Sequence, residues 1–312
     1  MSVAEARRLD GTATARAIRE EVSRGVRDLA AATGTVPGLT VLLVGDDAAS
    51  HVYVRGKEKA AREAGMRSTV ERLDARASEA DVLAAVARLN ADPSVHGILV
   101  QLPLPRGIDA HRVIEAIDPA KDVDGFHPVN AGRLLIGLPG FVPCTPAGVI
   151  ELLVRHGIEL SGKNAVVLGR SNIVGKPMAL LLLRRDCTVT IAHSKTDRLE
   201  EVCAGADLLV AAIGKAGFVR GSFVKPGAAV VDVGMNSLTT EAAVRALYGD
   251  DPARLATLRE RGAVLCGDVH PLEVRARAGW VSPVPGGVGP LTIAMLLSNT
   301  LRAARQSAGL AP

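Results

Sequence analysis

Tyr53 and Lys57 stand four residues apart in the run VGDDAASHVYVRGKEKAAREAG (Val44–Gly65). On a helix that spacing puts both on one face. An aromatic ring beside an amine can stack a planar ligand and move a proton. Alone, such a pair is far more often a solvated lysine next to a half-buried tyrosine, because long charged side chains mostly sit at the surface. Gln101 closes the apolar run GILVQ (Gly97–Gln101), and Asp122 and Asp124 lie two apart in KDVDGFHP (Lys121–Pro128). An amide at a strand end commonly bonds backbone. Charged groups beside a glycine commonly make only a turn.

The elements around these residues put them where chemistry is possible. TVLLVG reads as a strand ending at Gly45, followed by a polar loop with Asp46, Asp47 and Ser50. A helical pattern then runs to Gly65, where glycine can take the left-handed conformation that ends a helix. Tyr53 and Lys57 therefore ride a helix that starts beside a strand's carboxyl end, the ligand side of α/β proteins. Gln101 ends its own strand on the same side, and Pro103 and Pro105 stop that strand. A helix over 13–31, a strand over 68–73 and a helix from the SEAD capping box at Ser78–Asp81 to Asn90 fill the intervals. Strand and helix alternate, which implies a parallel sheet.

Thr145-Pro146 opens a helix reaching about His156, and a domain boundary is placed there. NAVVLGRSNIVGKP (Asn164–Pro177) follows: an apolar strand, a glycine loop, then a helical stretch over 178–185. The text is not GxGxxG. It is not a P-loop either, because five residues separate Gly169 from Gly175 and Pro177 stands where a magnesium-binding Ser or Thr belongs. Nor is it the GxSxG elbow. Such a loop can still offer backbone N–H groups and a helix N-terminus to phosphate, or be a plain strand-to-helix turn. The next strand, 188–192, ends in His193-Ser194-Lys195, with no acid for ribose hydroxyls. Arg170 and Lys195 supply positive charge and Ser194 a hydroxyl, which favours the extra phosphate of NADP. Further strands fall at 207–213 and 229–233.

A chain of 312 residues, 48% hydrophobic and 22% charged, suggests two domains with sizeable cores. The net charge of +4 is not blocked into runs, which suits anionic small molecules better than nucleic acid. Cys144, Cys187, Cys203 and Cys266 are far apart and read as reduced, mostly buried thiols of a cytoplasmic protein. No signal peptide and no membrane-crossing run is expected. There is no HExxH or Cys/His cluster, so no metal is expected.

With VQLPLP (Val100–Pro105), KDVDGFHP, the GRS and GKP of the glycine loop and PVPGGVGP (Pro283–Pro290), the chain resembles the bifunctional methylenetetrahydrofolate dehydrogenase/methenyltetrahydrofolate cyclohydrolase family over nearly its whole length. The resemblance implies two α/β domains with a cleft between them. One, residues 1–144 plus 288–312, would bind tetrahydrofolate derivatives; the other, residues 145–287, would be a Rossmann-like domain holding NADP. It implies catalytic roles for Lys57, Gln101, Tyr53 and Asp124. Val100, Leu102, Pro285, Gly286 and Gly287 would join Tyr53, Gln101 and Asp124 in contacting the folate. Gly169, Arg170, Ser171, Ser194 and Met235 would contact the cofactor. It also implies a homodimer working in one-carbon metabolism without nucleic acid or membrane.

The chain departs from the pattern in places. Residues 237–261 are longer than expected and read as one or two extra helices broken at Asp250-Asp251-Pro252, a surface elaboration dispensable for activity. His270-Pro271 replaces a hydrophobic pair after GDV, and Leu291-Thr292 replaces Met-Thr. Two rival readings stand beside the resemblance: an NADP dehydrogenase of small keto or hydroxy acids, and a non-catalytic binding module on the same fold.

Overall fold

The computed structural model describes residues 5–311. Strand β1 (Arg7–Arg8) and helix α1 (Gly11–Thr33) open the chain, followed by β2 (Gly38–Val44), α2 (Ala48–Glu63), β3 (Arg67–Leu73), α3 (Glu79–Ala91) and β4 (Gly97–Val100). Short helices α4 (Ala110–Glu115) and α5 (Pro128–Leu135) lead to α6 (Cys144–Arg155). Then β5 (Asn164–Leu168), α7 (Gly175–Leu183), β6 (Thr188–Ala192), α8 (Leu199–Ala204), β7 (Leu208–Ala211) and β8 (Ala229–Asp232) alternate. The extra segment carries β9 (Asn236–Leu238), α9 (Glu241–Tyr248), α10 (Pro252–Arg261) and β10 (Val264–Cys266). Helix α11 (Pro271–Arg275), β11 (Trp280–Val281) and α12 (Gly289–Ser307) complete it.

These elements make two compact α/β units. The first joins Ala15–Cys144 to the chain from Thr292 onward; the second joins Thr145–Leu291 to the segment ending at Thr14. The N-terminal segment was expected with the first unit, and this is a correction. Arg7 and Arg8 pair in parallel with Trp280 and Val281, and the Leu9 N–H bonds the Val281 carbonyl at 2.9 Å. A two-residue strand carries no periodicity by which its partner could be read.

The first unit has a parallel sheet in the order β3-β2-β4. All seven residues of β2, GLTVLLV, are buried, the continuous apolar run of a parallel strand covered on both faces. Helix α3 begins at the expected capping box: the Ser78 hydroxyl accepts from the Asp81 N–H, and the Asp81 carboxylate accepts from the Ser78 N–H. Its Val82, Val86 and Leu89 pack with Leu42, Ile98 and Val100, each worth about 1.5–3 kcal/mol when fully buried.

Within this unit α12 comes close to the helices of the N-terminal half. A Cβ on Gly25 would lie 2.7 Å from Leu301, and one on Gly56 would lie 3.7 Å from Ile293. Asn299, 7% exposed, donates to the carbonyls of Val123 at 2.8 Å and Val142 at 3.2 Å. It thereby ties the C-terminal helix to the turn that carries Asp124.

The second unit has a six-stranded parallel sheet in the order β1-β11-β8-β7-β5-β6. Its first strand after Thr145, β5, has its successors β6 and β7 on opposite sides, the topological switch point at which α/β sheets bind ligands. The extra segment is a subdomain in miniature. Strands β9 and β10 pair antiparallel, and α9 and α10 enclose a core of Leu238, Val244, Leu247, Leu255, Leu258 and Val264. The break falls where Asp251 caps α10, accepting from Ala253 N–H at 2.9 Å, with Pro252 at the first helical position. His270-Pro271 has the same job on α11: the ring caps it and the proline starts it.

Replacing Asn299 with Ala removes the buried amide donor that the Val123 and Val142 carbonyls share, and leaves Val123 only the Cys144 thiol. The expected loss is about 2 kcal/mol in urea unfolding. An unchanged midpoint would mean that solvent replaces both bonds.

Candidate active site

Lys57 and Gln101 meet. The Lys57 ammonium donates to Gln101 Oε1 at 3.0 Å, and Gln101 Nε2 donates to the Leu102 carbonyl at 2.8 Å. The second bond fixes which way the amide faces, so its oxygen is presented to the lysine. The strands deliver the glutamine: Leu42 pairs with Val100, and the Gln101 N–H bonds the Leu42 carbonyl at 2.9 Å. Helix α2 delivers the lysine. Asp47 caps that helix, accepting from the Ser50 N–H at 2.8 Å, and this bond holds its carboxyl below the usual range. One turn before Lys57 the Tyr53 side chain stands 41% exposed.

Asp124 lies within electrostatic reach of Lys57. Burial pushes its carboxyl above the usual range; the Lys57 charge pulls it down, and the neighbouring Asp122 pushes it up. Beside it lies the Cys144 thiol, buried and donating to the Val123 carbonyl at 3.4 Å. Burial first, and then the Asp124 charge, lift that thiol well above its ordinary value.

The other two charged groups of KDVD have their partners elsewhere. Lys121 donates to the carbonyls of Leu89, Asn90 and Asp92, closing the C-terminal end of α3. Asp122, 1% exposed, accepts from the N–H groups of Gly125, Phe126 and His127 and from the Asn130 amide. Gly125 at φ +77° has no room for a Cβ, which would lie 2.5 Å from the Val142 carbonyl carbon. Two charged side chains thus build the turn, and the third faces Lys57.

In the second unit the β5–α7 loop has the shape of a phosphate cradle. Gly169 has φ +136°, and a Cβ on it would lie 2.2 Å from the Ala212 carbonyl oxygen at the end of β7. A Cβ on Gly175 would lie 2.2 Å from the Gly169 oxygen. Both positions must be glycine for the loop to fold back on itself at the switch point. Ser171 Oγ accepts from Val174 N–H at 3.1 Å and Gly175 N–H at 3.2 Å. The side chains of Arg170, Ser194 and Lys195 are exposed, as is Met235, at 54%.

The tetrahydrofolate dehydrogenase/cyclohydrolase family models match both parts: the catalytic domain over residues 9–124 and the NAD(P)-binding domain over residues 143–308. The chain belongs to this family. It is 54% identical to the bifunctional protein FolD of Paracidovorax citrulli, across 96% of this chain and 98% of that one. It is 53% identical to the bifunctional protein FolD of Rhodospirillum centenum, across 99% and 97%. Among solved structures it resembles the bifunctional FolD enzyme of Campylobacter jejuni, with TM-score 0.86, 44% identity and coverage of 96% and 98%. It also resembles the Trypanosoma brucei methylenetetrahydrofolate dehydrogenase-cyclohydrolase, solved with NADP and an inhibitor, with TM-score 0.87, 40% identity and coverage of 97% and 99%.

Tyr53, Val100, Gln101, Leu102, Lys57 and Asp124 all fall in the first unit, whereas Pro285, Gly286 and Gly287 fall in the second. That three-residue loop is held by the N-terminal segment: Thr12 N–H bonds the Gly286 carbonyl at 3.1 Å, and a Cβ on Gly11 would lie 1.6 Å from the Gly287 oxygen. Both Leu102-Pro103 and Val284-Pro285 are cis. All four cysteines are buried and free. Among the described residues no group of His, Cys, Asp and Glu is placed to hold a metal ion, and no helix is long and apolar enough to cross a membrane.

Several residues that shape the site had no reading in the sequence. Cys144 and Asn299 reach Asp124's turn from far along the chain. In the second unit Asp268, fully buried, accepts from the N–H groups of Ile213, Gly214 and Lys215 and from the Asn236 amide. Asp232 accepts from the N–H groups of Gly234, Asp268 and Val269. Burial lifts Asp232 to about 7 against the pull of these donors. The DVG and GDV triplets, each with an acid beside a glycine, were the available signal for this pair.

Asp122→Ala strands three backbone donors and one amide in the protein interior. The expected cost is about 3 kcal/mol or more of stability, together with loss of activity as Asp124's turn loosens. Calorimetric melting checks the first and turnover the second; a variant as stable as the parent would show that the turn folds without this carboxylate.

Proposed function

We propose that the protein oxidises 5,10-methylene-tetrahydrofolate to the 5,10-methenyl compound and then hydrolyses that to 10-formyl-tetrahydrofolate, with NADP+ taking the hydride. The observation that carries this is the Lys57–Gln101 hydrogen bond with Asp124 beside it, in the part of the chain that matches the family's catalytic domain. Purified protein mixed with methylene-tetrahydrofolate and NADP+ should raise absorbance at the reduced-nicotinamide band. No folate-dependent change would refute the reading.

Asp124 holds the pterin, because a carboxylate can accept two hydrogen bonds from an amino-pyrimidinone edge. Val100 and Leu102 line the folate, and the resemblance counts the Pro285-Gly286-Gly287 loop among the folate-contacting residues. Tyr53 stacks on the aminobenzoyl ring. Gln101 holds Lys57 in place, and Lys57 Nζ moves the protons of the second step, in which water adds to the methenyl carbon and the ring opens. The first step asks mainly for positioning of the bridging carbon.

The β5–α7 loop fits the cofactor's phosphates. It lies at the N-terminal end of α7, whose dipole favours an anion, and the glycines at 169 and 175 keep side chains out of the cradle. Ser171 and Met235 contact the cofactor. Arg170 and Ser194, exposed with no acid at the strand end, take the extra phosphate of NADP. When bound, the cofactor supplies the hydride-accepting carbon. The protein works in the cytoplasm as a homodimer in this reading, and four buried free thiols suit a reducing compartment.

Arg170→Ala should weaken NADP+ far more than NAD+, since it removes a partner that only NADP+ uses. Steady-state KM values for the two cofactors check this, and an equal rise in both would sink the assignment. Lys57→Met keeps bulk and removes the amine. Cyclohydrolase activity should fall by about 100-fold or more, as when a general acid or base is lost, while some dehydrogenase activity survives. Methenyl-tetrahydrofolate should then accumulate, visible in the near ultraviolet. Near-parental hydrolysis of added methenyl-tetrahydrofolate would take Lys57 out of the mechanism.

A further inference from the structure

The extra segment was expected to be a dispensable surface elaboration, yet one of its side chains reaches the loop assigned to the folate. Arg254, on α10, donates through Nη1 to the Leu265 carbonyl at 3.1 Å and through Nη2 to the Val284 carbonyl at 3.2 Å. Leu265 stands two residues before the Gly267-Asp268 turn, and Val284 immediately precedes Pro285. The guanidinium also lies over the Tyr248 ring of α9, 4.4 Å from its centroid.

The loop needs such a tie. A cavity of about 260 Å³ lies beneath it, bordered by Arg254, Tyr248, Asp232, Gly267, Pro283 and Val284. Before the cavity, the Ser282 N–H is anchored on the Val230 carbonyl, and after it the Gly286 carbonyl is anchored on Thr12. Between these anchors Pro283 and Val284 border the cavity, and Arg254, which also borders it, bonds the Val284 carbonyl. A planar two-pronged donor holds two carbonyls in one fixed geometry, where a lysine ammonium on its flexible stem would set none. The stacked Tyr248 fixes the plane of the fork.

We propose that Arg254 is a positioning residue: from the extra segment it sets the Val284-Pro285-Gly286-Gly287 loop in the geometry that binds the folate. The inference rests on the proposed function, in which that loop contacts the folate.

The test is steady-state dehydrogenase kinetics of the full chain with Arg254→Met, Arg254→Lys and the control Arg259→Ala. Arg259 also lies on α10, but it bonds only Glu241 within the segment. Arg254→Met keeps an unbranched apolar stem and removes both donors together with the charge over Tyr248. It should raise the KM for methylene-tetrahydrofolate about tenfold, the size expected for a lost hydrogen bond to a charged donor. The KM for NADP+ should rise less. Arg254→Lys should recover part of the loss, and Arg259→Ala should match the parent. Should Arg254→Met fail to fold, Arg254→Lys alone still must show a raised folate KM. An unchanged folate KM, an equal rise in both KM values, or a lysine variant no better than the methionine one overturns the inference and leaves the function standing. A parent protein without folate-dependent turnover overturns both.

Discussion

A single hydrogen bond, Lys57 Nζ to Gln101 Oε1, joins groups 44 residues apart in sequence, and it constrains much of the first unit. The lysine must sit one turn beyond the exposed Tyr53 on a helix whose start is fixed by Asp47. The glutamine must emerge from β4 in a register set by Leu42 and Val100. A slip of one residue in that pairing would turn Gln101 to the opposite face. The all-buried β2 makes such a slip costly, because every side chain of the strand is committed to a core. Hydrophobic packing thus supplies the precision that the polar pair uses.

Buried carboxylates bonded to backbone N–H groups recur in both units as the means of shaping loops. Asp122 folds the turn that presents Asp124, and Asp268 and Asp232 fold the loops after β7 and β8. A carboxylate in the interior is costly unless it is fully bonded. With three or more donors it becomes a rigid hub, since loosening any one bond strands a charge. Loops at the carboxyl ends of parallel strands have no strand neighbours to hold them, so this order comes from inside. It leaves nearby polar groups such as Asp124 free of structural work and able to face a ligand.

Much of this was legible. Helical spacing put Tyr53 and Lys57 together, the Ser78 capping box started α3, and the strand-loop-helix around Gly169 was readable even though no standard motif fitted. Spacing alone could not say which aspartate of KDVD builds the turn, and the structure gives that work to Asp122. What stayed hidden depends on contacts distant in the chain. Strand β1 is too short to show a period. Asn299 looks like any polar residue of a helix. Nothing local to Cys144 announces that it lies against Asp124. The acidic pair Asp232 and Asp268 is separated by the extra segment, so neither residue predicts the other.

The 237–261 segment shows how a stretch of chain can order one of its own side chains. A floppy loop could carry an arginine near Val284 but could not hold it, since ordering a long side chain and its backbone costs more than one hydrogen bond returns. Here the cost of order is met within the segment. Its two capped helices and its hairpin share an apolar core, and Tyr248 from one helix stacks on Arg254 from the other. The guanidinium therefore arrives already oriented, and little further entropy is lost when it bonds Leu265 and Val284. The apolar residues of the segment are what hold Arg254 where it bonds Leu265 and Val284.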